Sequence, residues 1–206
     1  MAATKRAMSH VALLRGINVG GNNVIPMRAL AATFEALGLL NVTTYIQSGN
    51  VLFASRASDA RRLEKRIEAA VKDAHRCEVK VVVRSREQML TLARTLPRSW
   101  KKPDPAKRYN VMFLRHTIDA EDVLDGIAPK PGIEEVTYRP GALLWSANIR
   151  DLTRTAMLKV VSMPIYEHIT VRNLNTTMKL CALLAADGVS APASRSRRPS
   201  GRDRGS

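Results

Sequence analysis

Three polar stretches carry residue types that could bind or transfer a group. The first follows a short apolar run: Arg15, Gly16, Asn18, Gly20 and Gly21 fall in or beside the loop 16–23. Glycines permit positive φ and close backbone approach, so exposed N–H groups there, next to a helix start at Pro26, form a place for an anion. The second stretch is Gln47-Ser48-Gly49-Asn50, two amides and a hydroxyl in a turn-forming sequence. The third is Arg172, Asn173 and Asn175, in the run VRNLN. Arginine, amides and a hydroxyl without a carboxylate suit a small anionic or phosphorylated ligand. Each stretch also has a purely structural account: a strand-to-helix turn, a hairpin turn, and a helix cap at Asn173 or Asn175.

Known chemistries fit poorly. Gly16-x4-Gly21 is followed by Asn22-Asn23 instead of Lys-Ser or Lys-Thr, which excludes the nucleotide-hydrolase loop, and G-x-G-x-x-G is absent. His10, His75, His116 and His168 are scattered without metal-ligand spacing. Ser48 is not in a G-x-S-x-G elbow. Carboxylates gather at 119–125 and at Glu134-Glu135, which read as solvated faces. Cys77 stands among His75, Arg76 and Lys80, neighbours that can lower a thiol pKa, although most lone cysteines of this kind are inert. No metal and no cofactor are expected. Whether the chain is an enzyme stays open, because no catalytic constellation is recognisable.

The elements that must position these stretches follow from periodicity. A strand is expected at 11–14 and a helix at 27–37, with Leu30, Phe34 and Leu37 on one face and Gly38 as its stop. Strands follow at 42–46 and 51–53 around the Gly49 turn. Ser58 or Asp59 caps a helix whose apolar face is Leu63, Ile67, Ala70, Val71 and Ala74. A strand at 79–83 completes the order strand, helix, strand, strand, helix, strand, a ferredoxin-like βαββαβ unit. In that topology the end of the first strand and the hairpin 47–50 share one edge of the sheet. Arg15, Gly16 and Asn18 are thereby expected beside Gln47, Ser48, Gly49 and Asn50.

The pattern then returns. Ser85 caps a connecting helix with the stripe Met89, Leu92, Ala93 and Leu96, and the polar, proline-broken run 100–108 is expected on the surface. VMFLR at 111–115 echoes VALLR at 11–15, and GALLW at 141–145 echoes GNVLF at 49–53. Further elements are expected as a short acidic helix at 119–127, strands at 136–138 and 143–145, a helix near 155–161 and a strand at 169–171. A last helix at 174–186 presents Leu174, Met178, Cys181 and Ala185 on one face. The fold class is α+β: two ferredoxin-like repeats from an internal duplication, with antiparallel or mixed sheets and helices on one face. The divisions are 1–84 for the first repeat, 85–108 for the connector, 109–189 for the second repeat, and 190–206 for a Ser-Pro-Arg tail expected to be disordered.

The blocks LRGINVGG, TYIQSGNVLF and TVRNLNTTMKL together resemble one family, the bacterial proteins grouped as domain of unknown function 1697. The resemblance covers about residues 9 to 187, and the tail lies outside it. The third block departs from the expected pattern at Leu174, where an aromatic is usual. What the resemblance implies is a fold of paired ferredoxin-like repeats, with no assigned activity.

Bulk properties bound the rest. The 206 residues carry a net charge of +15, of which the five arginines and one aspartate of 190–206 hold +4, leaving +11 for the remainder. A basic surface of that size makes nucleic acid a second candidate partner, and a structural or interaction module without a ligand is the third reading. Base stacking on a sheet face is disfavoured, because the first strand has no aromatic residue and the third has Phe53 alone. No apolar run is long enough to span a membrane and no secretory signal is present, so no membrane partner is expected. With only Cys77 and Cys181, too few thiols for a disulfide framework, a cytoplasmic location is expected; the oligomeric state is not legible.

Overall fold

The computed structural model describes residues 7–20, 23–57 and 59–187. The first unit comprises β1 (Met8–Leu14), α1 (Met27–Ala36), β2 (Leu40–Tyr45), β3 (Asn50–Ser55), α2 (Ala60–His75) and β4 (Val81–Ser85). α1 starts after Pro26 and stops at Gly38, whose φ of 74° any residue with a Cβ adopts at a cost. Asp59 caps α2 by accepting from the Arg62 N–H at 3.3 Å; the alternative cap, Ser58, lies outside the described residues. Leu63, Ile67 and Val71 then recur every fourth residue and bury one helix face.

α2 also does something the apolar stripe does not announce. The Glu64 carboxylate accepts from Val83 N–H at 2.9 Å, and Glu68 accepts from Val81 N–H at 2.8 Å. β4 is an edge strand, and these two carboxylates satisfy the N–H groups that no further strand takes.

Two helices connect the units: α3 (Arg86–Arg94), opened by a capping box between Ser85 and Gln88, and α4 (Arg98–Lys101). Within the stretch 100–108, residues 101–106 are exposed as the surface loop expected, but its two ends are not. Trp100 is 5% exposed and meets Tyr109 edge-on, ring centroids 5.2 Å apart, and the next strand begins at Lys107. Burying so large an indole outweighs the polarity of its neighbours.

The second unit comprises β5 (Lys107–Leu114), α5 (Val123–Ile127), β6 (Glu134–Arg139), β7 (Ala142–Asn148), α6 (Met157–Val160), β8 (Ile169–Asn173) and α7 (Leu174–Asp187). The helix expected from 119 starts late, because Asp119 instead accepts from the Tyr138 hydroxyl at 3.0 Å and from Gly141 N–H at 2.7 Å. The helix expected at 155–161 is a single turn, α6, flanked by 3-10 helices at Ile149–Arg154 and Pro164–His168. On α7 the buried positions include Leu174, Thr177, Leu180, Cys181 and Leu184, while Met178 is 40% exposed. An i+3 step from Leu174 replaces the expected i+4 step, which turns the buried face.

The chain is therefore α+β, with two four-stranded sheets in the orders β2-β3-β1-β4 and β6-β7-β5-β8. Every pairing is antiparallel, which resolves the choice between antiparallel and mixed sheets. Helices do not lie on one face alone. Ala12 and Leu14 point to a cluster with Leu30, Phe34 and Ile67, whereas Val11 and Leu13 point to a central cluster. That central cluster joins the inner faces of both sheets to α3 and α7, through residues such as Met89, Val111, Phe113, Leu180 and Leu184. The outer face of the second sheet packs Met112 and Leu143 with Ile127 and Val160. On the inner strands β1, β3, β5 and β7 both faces are largely buried, so these strands offer no platform on which a base could stack.

Candidate functional site

β1 ends at Leu14 and the backbone turns at once, with φ of 72° at Gly16, 54° at Asn18 and 61° at Gly20. Asn18 closes this loop. Its Nδ2 donates to Ile25 O at 3.0 Å and to Gln47 O at 3.0 Å, and its Oδ1 accepts from Ile25 N–H at 2.8 Å. Asn23 donates to Gly16 O at 3.1 Å. Gly21 and Asn22 lie outside the described residues. The hairpin packs directly beside the loop: Leu14 N–H donates to Gly49 O at 2.8 Å. Gly49 has φ of 73°, and a Cβ there would stand 2.8 Å from Ile17 Cγ1, so geometry and space both demand glycine. Ile46 is held at φ 47°, an uncommon conformation for a β-branched residue. The loop and the hairpin thus meet at one sheet edge.

Arg172 arrives from the other unit. It donates from Nε to Asn50 Oδ1 at 2.6 Å, and from one terminal nitrogen to Leu14 O at 2.8 Å and Ser48 O at 2.7 Å. The other terminal nitrogen holds Val171 O at 2.8 Å. Asn50 uses its Nδ2 on Tyr45 O and the Ser48 hydroxyl. Burial pushes the Arg172 guanidinium down to about 10, still charged at neutral pH, and carbonyl dipoles surround it in place of a carboxylate. Asn173 caps α7 by accepting from Thr176 N–H at 2.7 Å; Asn175 is exposed on that helix. Asn18, Ser48, Asn50 and Arg172 therefore spend their polar atoms on one another and on backbone. The expected corner is there, but its inner side is a filled joint between the units.

The second unit has a matching joint that the sequence reading missed. Arg84, 2% exposed, reaches from β4 to Leu114 O and, at 2.8 Å, to Gly141 O; its other terminal nitrogen holds Val83 O at 2.9 Å. Gly141 has φ of 88°, and a Cβ there would lie 2.7 Å from Arg84 Nε. A signal was available: VVVRS at 81–85 and ITVRN at 169–173 both place an arginine directly before a helix cap.

Other expectations need correction. Glu134 is buried, accepting from Trp145 Nε1, Ala156 N–H and Lys130 N–H, because an indole and two backbone donors replace its water. Burial pushes the Cys77 thiol up, since desolvation disfavours the thiolate, which fits the inert cysteine and not the lowering its basic neighbours would give. Among the described residues no group of three His, Cys, Asp or Glu side chains is placed to hold a metal, and no helix is long and apolar enough to cross a membrane.

The open side of the corner faces α2. A cleft of about 530 Å³ is lined there by Arg15, Gly16, Asn23 and side chains of α2, Lys80 and Glu167. Lys72 is paired with Glu78 at 2.5 Å, and Glu68 is taken by Arg115. Arg15, Lys65 and Lys80 have no carboxylate partner among the described residues. Glu167, the remaining acid of the lining, lies 3.2 Å from His168. This arrangement can hold an anion: it offers uncommitted cations, a glycine backbone and room for a small metabolite.

A family model described as "Protein of unknown function (DUF1697)" matches residues 8–145. A solved structure of the conserved bacterial protein SP0830 from Streptococcus pneumoniae is 27% identical, with a TM-score of 0.76 over 87% of this chain and 99% of that one. An unknown protein from Galdieria sulphuraria is 12% identical over 82% of this chain and 98% of that one, with a TM-score of 0.26. No curated protein matches.

Proposed function

Because the chain belongs to the DUF1697 family, described as proteins of unknown function, its role has to be read from its own chemistry, and we propose that it binds a small anionic or phosphorylated ligand in the cleft of Arg15, Lys65 and Lys80. One observation carries this reading: Arg15, Lys65 and Lys80 share a cleft and none of them is ion-paired among the described residues, while the lining acids Glu68 and Glu78 are paired with Arg115 and Lys72. The site is moved from the sequence expectation. Arg15 and Gly16 stay in it, while Asn18, Ser48, Gly49, Asn50 and Arg172 become the wall behind it. Whether the bound molecule is a substrate or an effector is open in this reading, and no residue is assigned a catalytic role.

Calorimetric titration at low salt with inorganic pyrophosphate, a pentose phosphate and a nucleoside monophosphate tests it. At least one should bind, and Lys65→Ala or Lys80→Ala should weaken it about tenfold each, the loss of one charge-assisted contact. Affinity unchanged in both variants rejects the cleft.

The net charge of +15 favours a second reading, attraction of a nucleic-acid backbone. That reading predicts a steep salt dependence, with about −0.9 in the logarithmic slope for each phosphate neutralised on duplex DNA. The tail 190–206, which would share in it, lies outside the described residues. A cytoplasmic location remains part of the proposal, supported by the two free, buried thiols.

We also propose that the two units are diverged copies of one ferredoxin-like repeat. Three pairs of equivalent bonds support this. Leu14 and Leu114 donate to Gly49 O and Gly141 O, Arg15 and Arg115 donate to Lys80 O and His168 O, and Arg84 and Arg172 each cross to the opposite unit.

A further inference from the structure

The two arginines that follow β1 and β5 occupy equivalent backbone positions but meet different partners. Arg115 N–H donates to His168 O at 3.0 Å, and its guanidinium is taken by the Glu68 carboxylate of α2. Arg15 N–H donates to Lys80 O at 2.9 Å, and its guanidinium lies over the ring of Tyr166, 4.7 Å from the ring centroid. A carboxylate takes the N–H edge of a guanidinium and cancels its charge. An aromatic ring takes the face, leaves the edge free and keeps the full charge. Arg15 makes no side-chain hydrogen bond among the described residues, so its edge is open on the cleft side.

We infer that Tyr166, contributed by the second unit, is the positioning residue of the anion site, and that Arg15 so held grips the ligand through two parallel N–H bonds to one phosphate or carboxylate group. This rests on the ligand-binding reading above. Tyr166 lies in a 3-10 helix directly before β8, the strand that also carries Arg172. The site is therefore built from both units: cations from the first, the aromatic support from the second. A long flexible side chain in the open would lose rotamer entropy on binding; one already stacked loses less.

The test uses the full chain and whichever of inorganic pyrophosphate, the pentose phosphate and the nucleoside monophosphate binds the parent most tightly, with Kd measured by calorimetry at low salt. Tyr166→Phe keeps the ring and should bind within about twofold of the parent. Tyr166→Leu keeps apolar volume but no π face, and should bind about three- to tenfold more weakly, with a Tm within a few degrees of the Phe variant. Arg15→Lys keeps the charge but not the fork, and should lose about tenfold. Because Arg15 is only half-buried, that variant also guards against a Leu variant that folds poorly. Lys65→Ala reads the cleft independently. If Lys65→Ala weakens binding while Tyr166→Leu and Arg15→Lys bind like the parent, the positioning role is wrong and the cleft stands. If the parent binds none of pyrophosphate, the pentose phosphate and the nucleoside monophosphate, or if Lys65→Ala and Arg15→Lys both match the parent, the cleft falls and Tyr166 with it. Retention of binding in Tyr166→Phe but not in Tyr166→Leu is the pattern that supports the inference, since a role for the hydroxyl, which both variants lack, would weaken both alike.

Discussion

The two corners of the molecule solve one problem with different residues. At each, an arginine from the last strand of one unit plugs the end of the first strand and hairpin of the other. In the first corner Arg172 Nε finds Asn50 Oδ1 at 2.6 Å. In the second, Ala142 holds the equivalent register position, opposite Phe113 as Asn50 is opposite Leu13, and Arg84 Nε has no partner among the described residues. Outside the joints the difference grows. Arg115 is neutralised by Glu68 and closes its corner, whereas Arg15 is stacked on Tyr166 and stays charged beside an open cleft. One corner is thus closed by an ion pair, and the other leaves its arginine without a carboxylate. The lesson is that similar backbone hydrogen bonds carry no similarity of side-chain chemistry; on the proposed reading, the pairing of a single guanidinium decides which end takes a ligand.

The largest way to break this comparison is to remove the plugs. Arg172→Leu strands Leu14 O, Ser48 O and Asn50 Oδ1, and should cost about 3 kcal/mol or more in urea-unfolding stability, at the severe end for one substitution. Arg84→Leu should cost less, about 2 kcal/mol, because one of its donors is already unpaired. Equal losses, or the reverse order, would show that Asn50 adds nothing to its joint.

Asn50→Ala sharpens the same point. It makes the first corner resemble the second, leaving Arg172 Nε, Tyr45 O and the Ser48 hydroxyl without this partner. A loss of about 1–2 kcal/mol is expected, with the melting curve still a single transition. A melting temperature within a degree of the parent would contradict the account.

The paired and stacked arginines should separate stability from binding. Arg115→Ala leaves Glu68 without its charge partner. It should lower stability by about 1 kcal/mol, discounted for partial exposure, with pyrophosphate affinity unchanged. Arg15→Ala should do the opposite: stability falls by under about 1 kcal/mol, while binding weakens at least about tenfold. Loss of binding in Arg115→Ala alone would exchange the roles of the two ends.

The smallest effect is in the pH dependence of the seam between the units. His116 Nε2 lies 3.8 Å from Glu64 Oε1. Burial, and then the nearby Arg84 charge, push His116 below the ordinary 6.5. The folded chain therefore favours the neutral ring, and the stability this gives is present above pH 6.5 and lost as the pH falls below it. His10, buried against Phe53 and also lowered by burial, acts in the same window. Glu64 has the opposite sign: burial raises it, so its contribution is full below 4.5 and declines as the pH rises. Melting temperature should drop between about pH 7 and pH 5.5, and His116→Gln should make that drop shallower. An unchanged slope in the variant would remove His116 from the account and leave His10 as its source.

Local chemistry was legible in the sequence by itself. The order of strands and helices follows from periodicity and punctuation: Gly38, Gly49 and Gly141 mark turns that need positive φ, and Asp59, Ser85 and Asn173 cap the helices they precede. The meeting of the 16–23 loop with the 47–50 hairpin was legible as well, because strand order and direction bring both to one edge. Tertiary structure decided where the polar atoms go. Arg172 and Asn50 are 122 residues apart, Arg84 and Gly141 57 apart, and Arg115 and Glu68 47 apart. A glutamate such as Glu134 or Glu64 looks like surface in a sequence, since burying a charge is unfavourable until a donor is supplied. The donors here are an indole, an edge strand and the helix-proximal backbone, each delivered by packing. Apolar periodicity is a property of one segment and can be read within it; the pairing of a buried charge is a property of two segments, and it exists only once the chain has brought them together.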